Sequence, residues 1–159
     1  MRFSYWLIVI VFGVIITACS GKTAVFDENV SIENKTWKIG DTAHFDFTIN
    51  DTNQFYDFYF NLRNTANYSY SNIFVFYTLT FPNNKTLNDT AEFILAKPNG
   101  EWLGKTISGS LIDNSMLFSK KRQFPLKGNY KFSVIHGMRS DDLDHVSNVG
   151  FKILESREH

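Results

Sequence analysis

Short runs in which apolar and polar residues alternate are the feature that most constrains how this chain can fold. Residues 44–49 place phenylalanine or isoleucine at every second position, with polar residues between them. Residues 56–63 repeat the pattern with tyrosine, phenylalanine and leucine. Successive side chains of a β-strand point to opposite faces, so this period of two predicts half-buried strands. Because an apolar spacing of three to four residues never persists along the folded part, we expect no substantial helix there.

Turn-forming residues separate these runs at short intervals. Pro82-Asn83-Asn84 predicts a hairpin, and Pro98-Asn99-Gly100 predicts a type I turn with Gly100 in the left-handed region. Residues 72–81 are apolar on both faces, which predicts a central strand. About eight strands at this spacing predict one antiparallel β-sandwich, with immunoglobulin-like and jelly-roll topologies both open. The predicted strands cover residues 44–49, 56–63, 72–81, 86–96, 101–104, 111–118, 130–136 and 149–153.

The N-terminus carries a pattern that is typical of export. Arg2 precedes an apolar run that ends at Ala18, shorter than the about 20 residues a membrane-spanning helix needs. We therefore expect residues 1–18 to form a signal-peptide helix ahead of the sandwich. Ile16-Thr17-Ala18-Cys19 resembles the bacterial lipobox, which predicts a diacylglycerol and an acyl chain such as palmitate on Cys19. The alternative is a buried core cysteine in an uncleaved anchor.

The chain beyond Cys19 is large enough for one domain. Residues 19–35 are polar and aperiodic, which predicts a lipidated N-terminus and tether, part of which can pair as a first strand near Val25 and Phe26. Residues 36–159 are predicted to form a single β-sandwich domain. The exported part holds 15 lysines and arginines against 16 aspartates and glutamates. This balance argues against nucleic acid as a partner, because nucleic acid requires a basic patch.

The sequence offers no motif for catalysis or for a resident metal. The loop 141–145 is acidic but lacks the spacing and the glycine of an EF-hand. There is no Gly-x-Ser-x-Gly motif, and Cys19 is the single cysteine. We expect neither an enzyme nor a cofactor apart from the covalent lipid. The four histidines lie apart in the sequence, at His44, His136, His145 and His159.

Four residues are candidates for a partner or glycan surface. Trp102 can form a sugar-stacking platform with Trp37, or with Tyr68 and Tyr70, since aromatic faces bind the apolar face of a pyranose; the alternative is that both tryptophans pack in the core or at its rim. Arg63 stands near the end of a predicted strand, where its planar guanidinium can clamp carbonyls or a carboxylate across the sheet.

Three segments, taken together, resemble the gliding-motility lipoprotein GldH family of Bacteroidota. They are Asn61-Leu62-Arg63-Asn64-Thr65 continuing through Tyr70-Ser71-Asn72-Ile73-Phe74, then Pro98-Asn99-Gly100-Glu101-Trp102-Leu103-Gly104, and His136-Gly137-Met138-Arg139 with Val149-Gly150-Phe151. The resemblance implies an outer-membrane lipoprotein required for gliding, linked to type IX secretion, with an acylated Cys19 and no catalytic residues.

The resemblance also bears on modification and location. Asp41-Thr42-Ala43 and Asp89-Thr90-Ala91 resemble the O-glycosylation sites of exported Bacteroidota proteins, which makes Thr42 and Thr90 candidate sites. Surface-exposed lipoproteins of this phylum tend to carry an acidic cluster after the cysteine, which Ser20-Gly21-Lys22-Thr23 does not resemble. We therefore expect the periplasmic side of the outer membrane.

Two functions remain open at this point. The first is a non-enzymatic component that binds envelope proteins of the gliding machinery through one face of the sandwich. The second is a carbohydrate-binding envelope lipoprotein that serves polysaccharide uptake.

Overall fold

The alternating runs form β-strands, and the turn residues lie where the chain reverses. A computed structural model describes residues 23–156; the predicted signal peptide, Cys19 and His159 lie outside the described residues. In the described part, no helix is long and apolar enough to cross a membrane. The strands are β1 (Ala24–Ser31), β2 (Thr36–Lys38), β3 (Ala43–Ile49), β4 (Tyr56–Thr65), β5 (Asn72–Thr80), β6 (Thr86–Ile94), β7 (Lys105–Thr106), β8 (Leu111–Arg122), β9 (Gly128–His136), β10 (Asp142–Asp144) and β11 (Val146–Glu155), with a 3-10 turn at Glu33–Lys35.

Two main sheets form a sandwich. One has five strands in the order β1-β11-β4-β8-β7, and the other has four in the order β3-β9-β5-β6. The short strands β2 and β10 pair with each other as a small third sheet. Every strand pair is antiparallel. The predicted all-β antiparallel sandwich is confirmed.

Aromatic side chains join the two main sheets. Phe132 of β9 and Phe151 of β11 stack with their ring centroids 4.1 Å apart and their planes 15° from parallel. Phe60 of β4 stacks on Phe93 of β6 in the same way, at 4.9 Å. Such pairs contribute about 0.5–1.5 kcal/mol beyond the area they bury. The alternating phenylalanines of the sequence therefore form the contact between the sheets.

Residues 24–31, which the sequence placed in the tether, form strand β1. This strand pairs along its length with β11, and the predicted first strand near Val25 and Phe26 is present. Phe26 contacts the rings of Phe45, Phe47 and Phe151, while the rest of β1 is exposed. Because only one side chain of this edge strand packs against the core, its sequence does not need to alternate apolar and polar residues. The sandwich consequently extends ahead of position 36.

Strand β5 is central in its sheet, as predicted, because β9 and β6 flank it. Its two faces differ. Ile73 and Val75 point into the core and are buried, whereas Phe74 and Phe76 are 37% and 48% exposed. The strand is therefore central in its sheet, while its outer face leaves two phenylalanines partly exposed.

The predicted turns are present, but one predicted strand is not. The Phe81 and Lys85 backbones pair at 2.8 Å (N to O) across the turn between β5 and β6. Gly100 has a φ of +85°, in the left-handed region, and its N–H donates to the Lys97 carbonyl. The following residues 101–104 form a single bridge, between Trp102 and Ala96, instead of a strand.

Candidate functional site

An aromatic cluster lies beside the turn at Gly100. The ring of Tyr68 is 5.7 Å from that of Tyr70 and 6.4 Å from that of Trp102, measured between centroids. Tyr68 is 5% exposed, its hydroxyl donates to the Asn72 carbonyl at 3.1 Å, and burial raises its pKa. Tyr70 is 40% exposed and Trp102 is half-buried. The structure therefore brings three of the four candidate residues together, with Tyr70 and Trp102 at the surface over a buried Tyr68. The alternative pairing of Trp102 with Trp37 is wrong, because Trp37 is fully buried and packs against His136.

Arg63 makes a different contact from the aromatic three. It lies opposite Asp113 in the pairing of β4 with β8, and its Nε donates to the Asp113 Oδ1 at 3.1 Å. A second guanidinium nitrogen is also 3.1 Å from the same oxygen. This is the predicted grip on a carboxylate across the sheet. The side chains are 35% and 44% exposed, so the pair is half solvated.

The segment that carries Trp102 crosses from one sheet to the other. The Leu103 N–H donates to the Leu95 carbonyl at 2.8 Å, which continues the edge of the four-stranded sheet beyond β6. Gly104 then lies against Asn114 and against the Asp113 carbonyl, 2.8 Å from where a Cβ would stand. Gly104 has no left-handed φ, so a close approach explains this glycine, whereas backbone conformation explains Gly100.

A polar cleft of about 460 Å³ lies near the aromatic cluster. Asn67, the neighbour of Tyr68 in the chain, is one of its lining residues, and Asn34 supplies a second amide. Asp144 also lines the cleft and accepts a hydrogen bond at 2.7 Å from the hydroxyl of Thr36. Amide and carboxylate groups beside aromatic rings are suited to hydroxyl-rich ligands.

The outer face of the four-stranded sheet carries an apolar surface that the sequence interpretation missed. Ile135 lies opposite Phe76 in the pairing of β9 with β5, and Ile94 is diagonal to Phe74 on β6. Phe74, Phe76 and Ile94 are 37%, 48% and 54% exposed. We call Phe74, Phe76, Ile94 and Ile135 the outer apolar patch. The sequence signal for this patch is the run at residues 72–81, which is apolar on both faces. Such a run does not distinguish a strand buried on both faces from a strand with one solvent-exposed apolar face.

Ring packing fixes the position of Phe76 within this patch. A Cβ built at Gly137 would stand 3.0 Å from a carbon of the Phe76 ring, so the ring lies directly over this glycine. The Gly137 N–H also donates to the Phe74 carbonyl at 2.7 Å. Gly137 belongs to a segment that carries the family resemblance. The glycine thus leaves room for an aromatic ring on the outer surface.

The two candidate glycosylation sites lie at the two margins of the same sheet. Thr42 is exposed just before β3, and its hydroxyl donates to the Gly40 carbonyl at 3.3 Å. Thr90 is exposed on β6 and lies opposite Phe76 in the β5–β6 pairing. Both hydroxyls are accessible, and modification of either remains a prediction.

The polar chemistry of the described residues is dispersed. No group of three or more His, Cys, Asp or Glu residues within residues 23–156 is placed to hold a metal ion. His136 is fully buried and packs edge-on against Trp37, with ring centroids 5.5 Å apart. Asp57 is also buried and accepts a hydrogen bond from the Lys121 N–H at 2.9 Å. These two buried groups have structural roles.

Comparison with known proteins identifies relatives over nearly the whole chain. A family model described as GldH lipoprotein matches residues 24–153. A gliding motility lipoprotein GldH homolog from Christiangramia forsetii is 31% identical, covering 98% of this chain and 99% of that protein. A gliding motility lipoprotein GldH from Flavobacterium johnsoniae is 28% identical, covering 96% and 98%. Among solved structures, dimeric latent PorU from Porphyromonas gingivalis aligns with a TM-score of 0.36 at 9% identity, over 86% of this chain and 14% of that one.

Proposed function

Because the chain belongs to the GldH lipoprotein family, we propose that it is a non-enzymatic, lipid-anchored component that binds envelope proteins of the gliding and type IX secretion-linked machinery. The resemblance drawn from the sequence motifs is confirmed by the family match. Two named gliding-motility lipoproteins match end to end, which supports a role in motility for this chain.

The outer apolar patch is the observation that supports a role in binding. Exposed apolar groups that lie side by side and are rimmed by polar residues mark protein interaction sites. On the β6 side, the patch is bordered by polar residues, because Glu92 lies opposite Phe74 and Thr90 lies opposite Phe76. Aromatic residues in such positions supply most of the affinity of many interfaces. The patch therefore has the composition of a protein-binding face.

Charge substitution of Phe76 tests this proposal. Phe76→Lys places an ammonium group in the centre of the patch, and we expect loss of partner recovery and of gliding in the native organism at unchanged protein level. Leu117→Lys is the matched control, because Leu117 is 49% exposed on the outer face of the other sheet. Normal gliding and normal partner recovery with Phe76→Lys would rule out this face.

The anchor and its location form a separate part of the proposal. Cys19 would carry the diacylglycerol and acyl chain, and the absence of an acidic cluster after it supports the periplasmic side of the outer membrane. Labelled palmitate should enter the wild-type protein and not Cys19→Ser. Protease added to intact cells should leave the protein uncut, and its degradation would place it on the cell surface instead.

Carbohydrate binding is the second candidate, and the polar cleft favours it. The amides of Asn34 and Asn67 line that cleft. Tyr70 and Trp102 present aromatic surface around Tyr68, the neighbour of Asn67 in the chain. This function predicts binding to specific glycans on an array, with the signal lost in Trp102→Ala. Absence of glycan binding by the wild-type protein would remove it.

A further inference from the structure

One side of the sandwich is left open between the edges of its two main sheets. A cleft of about 440 Å³ lies there, within the range of about 300–1,000 Å³ that is typical of binding sites. Tyr77 and Leu79 of β5 line it on one side and Phe118 of β8 on the other. The cleft reaches as far as Phe132 and Phe151, the stacked pair at the centre of the core.

The open side results from a difference between the two ends of strand β6. At the Phe93 end, the segment 95–106 crosses between the sheets, and Phe93 is 7% exposed. At the other end, Leu87 lies opposite Leu79 and lines the cleft, yet it remains 44% exposed. An inward-facing leucine with this exposure indicates a core that lacks cover. The space between the two sheets is therefore covered at the Phe93 end of β6 and open to solvent at the Leu87 end.

Strand β6 is also a free edge. It pairs with β5 residue for residue over Thr86–Ile94, and within residues 23–156 no strand pairs with its other side. Such an edge presents unpaired backbone N–H and C=O groups, and natural proteins usually protect it with lysine, proline or bulges. Strand β6 contains no lysine, proline or bulge over its nine residues; its two charged side chains are Asp89, which lines the cleft, and Glu92.

The facing strand β8 has the protection that β6 lacks. Strand β7 covers only Ile112 and Asp113 of β8, but β8 has register shifts opposite Phe58. Its last residues, Lys120, Lys121 and Arg122, are basic and exposed, and Lys121 has a φ of +50°. Bulges and lysines disfavour pairing with a further strand. Of the two edges that border the cleft, β6 is the one built to accept a strand.

We propose that β6 accepts an extended segment of a partner protein as an added strand, whose inward side chains fill the cleft. Sheets in a sandwich lie about 10 Å apart, so side chains from a strand beside β6 reach Phe118 on the opposite sheet. Backbone hydrogen bonds would supply affinity, and the cleft would select apolar residues at alternate positions. This inference rests on the proposed function, since it names how a partner segment is held.

Charge at the mouth of the cleft adds to the description of the partner. Arg122 lines the cleft, with its Nε donating to the Ser119 hydroxyl at 2.9 Å, and Lys120 and Lys121 precede it in the chain. A strand antiparallel to β6 would end near this basic group. The expected segment therefore alternates apolar residues and carries carboxylates at its C-terminal end.

A synthetic peptide tests the inference on the purified domain, residues 20–159. The probe is a twelve-residue peptide that alternates valine and serine and ends in two aspartates; its control carries proline at two central positions, which removes backbone donors. We expect saturable binding of the probe, at least about tenfold weaker binding of the proline control, and slowed hydrogen exchange in residues 86–94. Residues 43–49, the opposite edge of the same sheet, serve as the internal control and should exchange unchanged.

Substitutions separate this cleft from the rest of the surface. Leu87→Lys should weaken probe binding at least about tenfold and Arg122→Glu about threefold or more, whereas Leu117→Lys should leave it unchanged. Equal melting temperatures exclude misfolding, and Arg122→Glu remains informative if Leu87→Lys is unstable. Exchange in residues 86–94 that the probe leaves unchanged would overturn the inference. Two other outcomes would also overturn it. One is that palmitate binds in the cleft and slows exchange in residues 86–94 as the probe does, and the other is that the domain dimerises in a way that depends on Leu87.

Partner recovery in cells distinguishes failure of the inference from failure of the proposed function. Loss of the partner with both Phe76→Lys and Leu87→Lys supports both. Loss with Phe76→Lys alone overturns the added strand and leaves the proposed function intact. Retention of the partner with both variants overturns both.

Discussion

His136 is the residue whose surroundings most affect how the protein responds to pH. It is fully buried, and its ring packs on Trp37. Burial lowers the pKa of His136 below 6.5, and the backbones of Asp141 and Trp37, together with the carboxylates of Asp141 and Asp142, offset part of that effect. The folded state therefore favours the neutral imidazole. The unfolded chain binds the proton more readily, so folding stability is retained above about pH 6.5 and declines below it.

We predict that the melting temperature falls as the pH is lowered from about 7.5 to 5.5, in the range where a free histidine titrates. His136→Phe keeps an aromatic ring against Trp37 and removes the titrating group, so its profile should be flatter. His44→Gln removes an exposed histidine and should retain the wild-type profile. Thermal unfolding followed by circular dichroism measures all three. Parallel profiles for wild type and His136→Phe would refute this role.

Gly150 is a second residue whose identity the packing explains. It lies in β11 between β1 and β4, and a Cβ there would meet the side-chain oxygen of Asn29 and the Glu28 carbonyl, the latter at 2.8 Å. We predict that Gly150→Ala lowers the free energy of unfolding by about 1–3 kcal/mol, because the added methyl overfills a packed site. Urea denaturation measures this loss. Asn29→Ala should restore part of it in the double variant, and no restoration would show that the backbone contact dominates.

At the scale of elements, buried amides hold β4 to β8. Asn114 is 3% exposed, and its Nδ2 donates to the Leu62 carbonyl at 2.9 Å and to the Asn64 Oδ1 at 2.8 Å. The Asn64 Nδ2 in turn donates to the Thr65 carbonyl. Arg63 and Asp113 belong to the same pair of strands, at neighbouring positions. The buried amide network therefore helps to position Arg63, one of the four residues predicted to form a partner or glycan surface, from the core side of the sheet.

We predict that Asn114→Ala lowers the free energy of unfolding by about 1–3 kcal/mol, because it leaves the Leu62 carbonyl and the Asn64 amide oxygen without this donor. Asn61→Ala is the control. It removes a hydrogen bond between exposed side chains, from Ser115 to Asn61, and should change stability by about 0.5 kcal/mol or less. Urea denaturation of both variants makes the comparison. Equal losses would mean that burial of the amide has no special effect.

The alternation of apolar and polar residues predicts the half-buried strands well, and it predicts exposed edge strands and very short strands poorly. Strands β3, β4, β8 and β9 were identifiable because each buries every second residue of at least part of its length. Strand β6 was identifiable from the hairpin turn that precedes it, since only Phe93 of its nine residues is buried. Strand β1 was assigned to the tether because an exposed edge strand has no need of apolar alternation. Strand β10 was missed inside a polar loop because only Leu143 of its three residues is buried.

The candidate site was harder to predict than the fold. Tyr68 lies in the turn-rich stretch between β4 and β5, and its burial depends on Trp102 packing from a distant segment. The exposure of Phe74 and Phe76 depends on which sheet face lies against another layer. The cleft beside β6 depends on which strands end a sheet. These are tertiary properties, and periodicity within one strand does not contain them.

At the scale of the whole molecule, the outer faces of the two sheets differ in chemistry. The five-stranded sheet presents polar contacts, such as the Arg63–Asp113 pair and Lys152, whose Nζ lies 5.5 Å from the centre of the Tyr59 ring. The four-stranded sheet presents the outer apolar patch. The Thr23 carbonyl accepts a hydrogen bond from the Glu155 N–H of the five-stranded sheet, so the first described residue of the chain lies on the sheet opposite the patch. This arrangement leaves the patch facing away from the sheet that holds Thr23.

The most direct test of binding through the outer apolar patch is site-specific photocrosslinking in living cells. Benzoylphenylalanine at position 76 would report what lies against the patch, and the same group at position 117 would report the opposite face. We predict that position 76 crosslinks to envelope proteins of the gliding or secretion machinery and that position 117 does not. Crosslinks from position 76 only to glycan-uptake proteins, or identical products from both positions, would contradict the account.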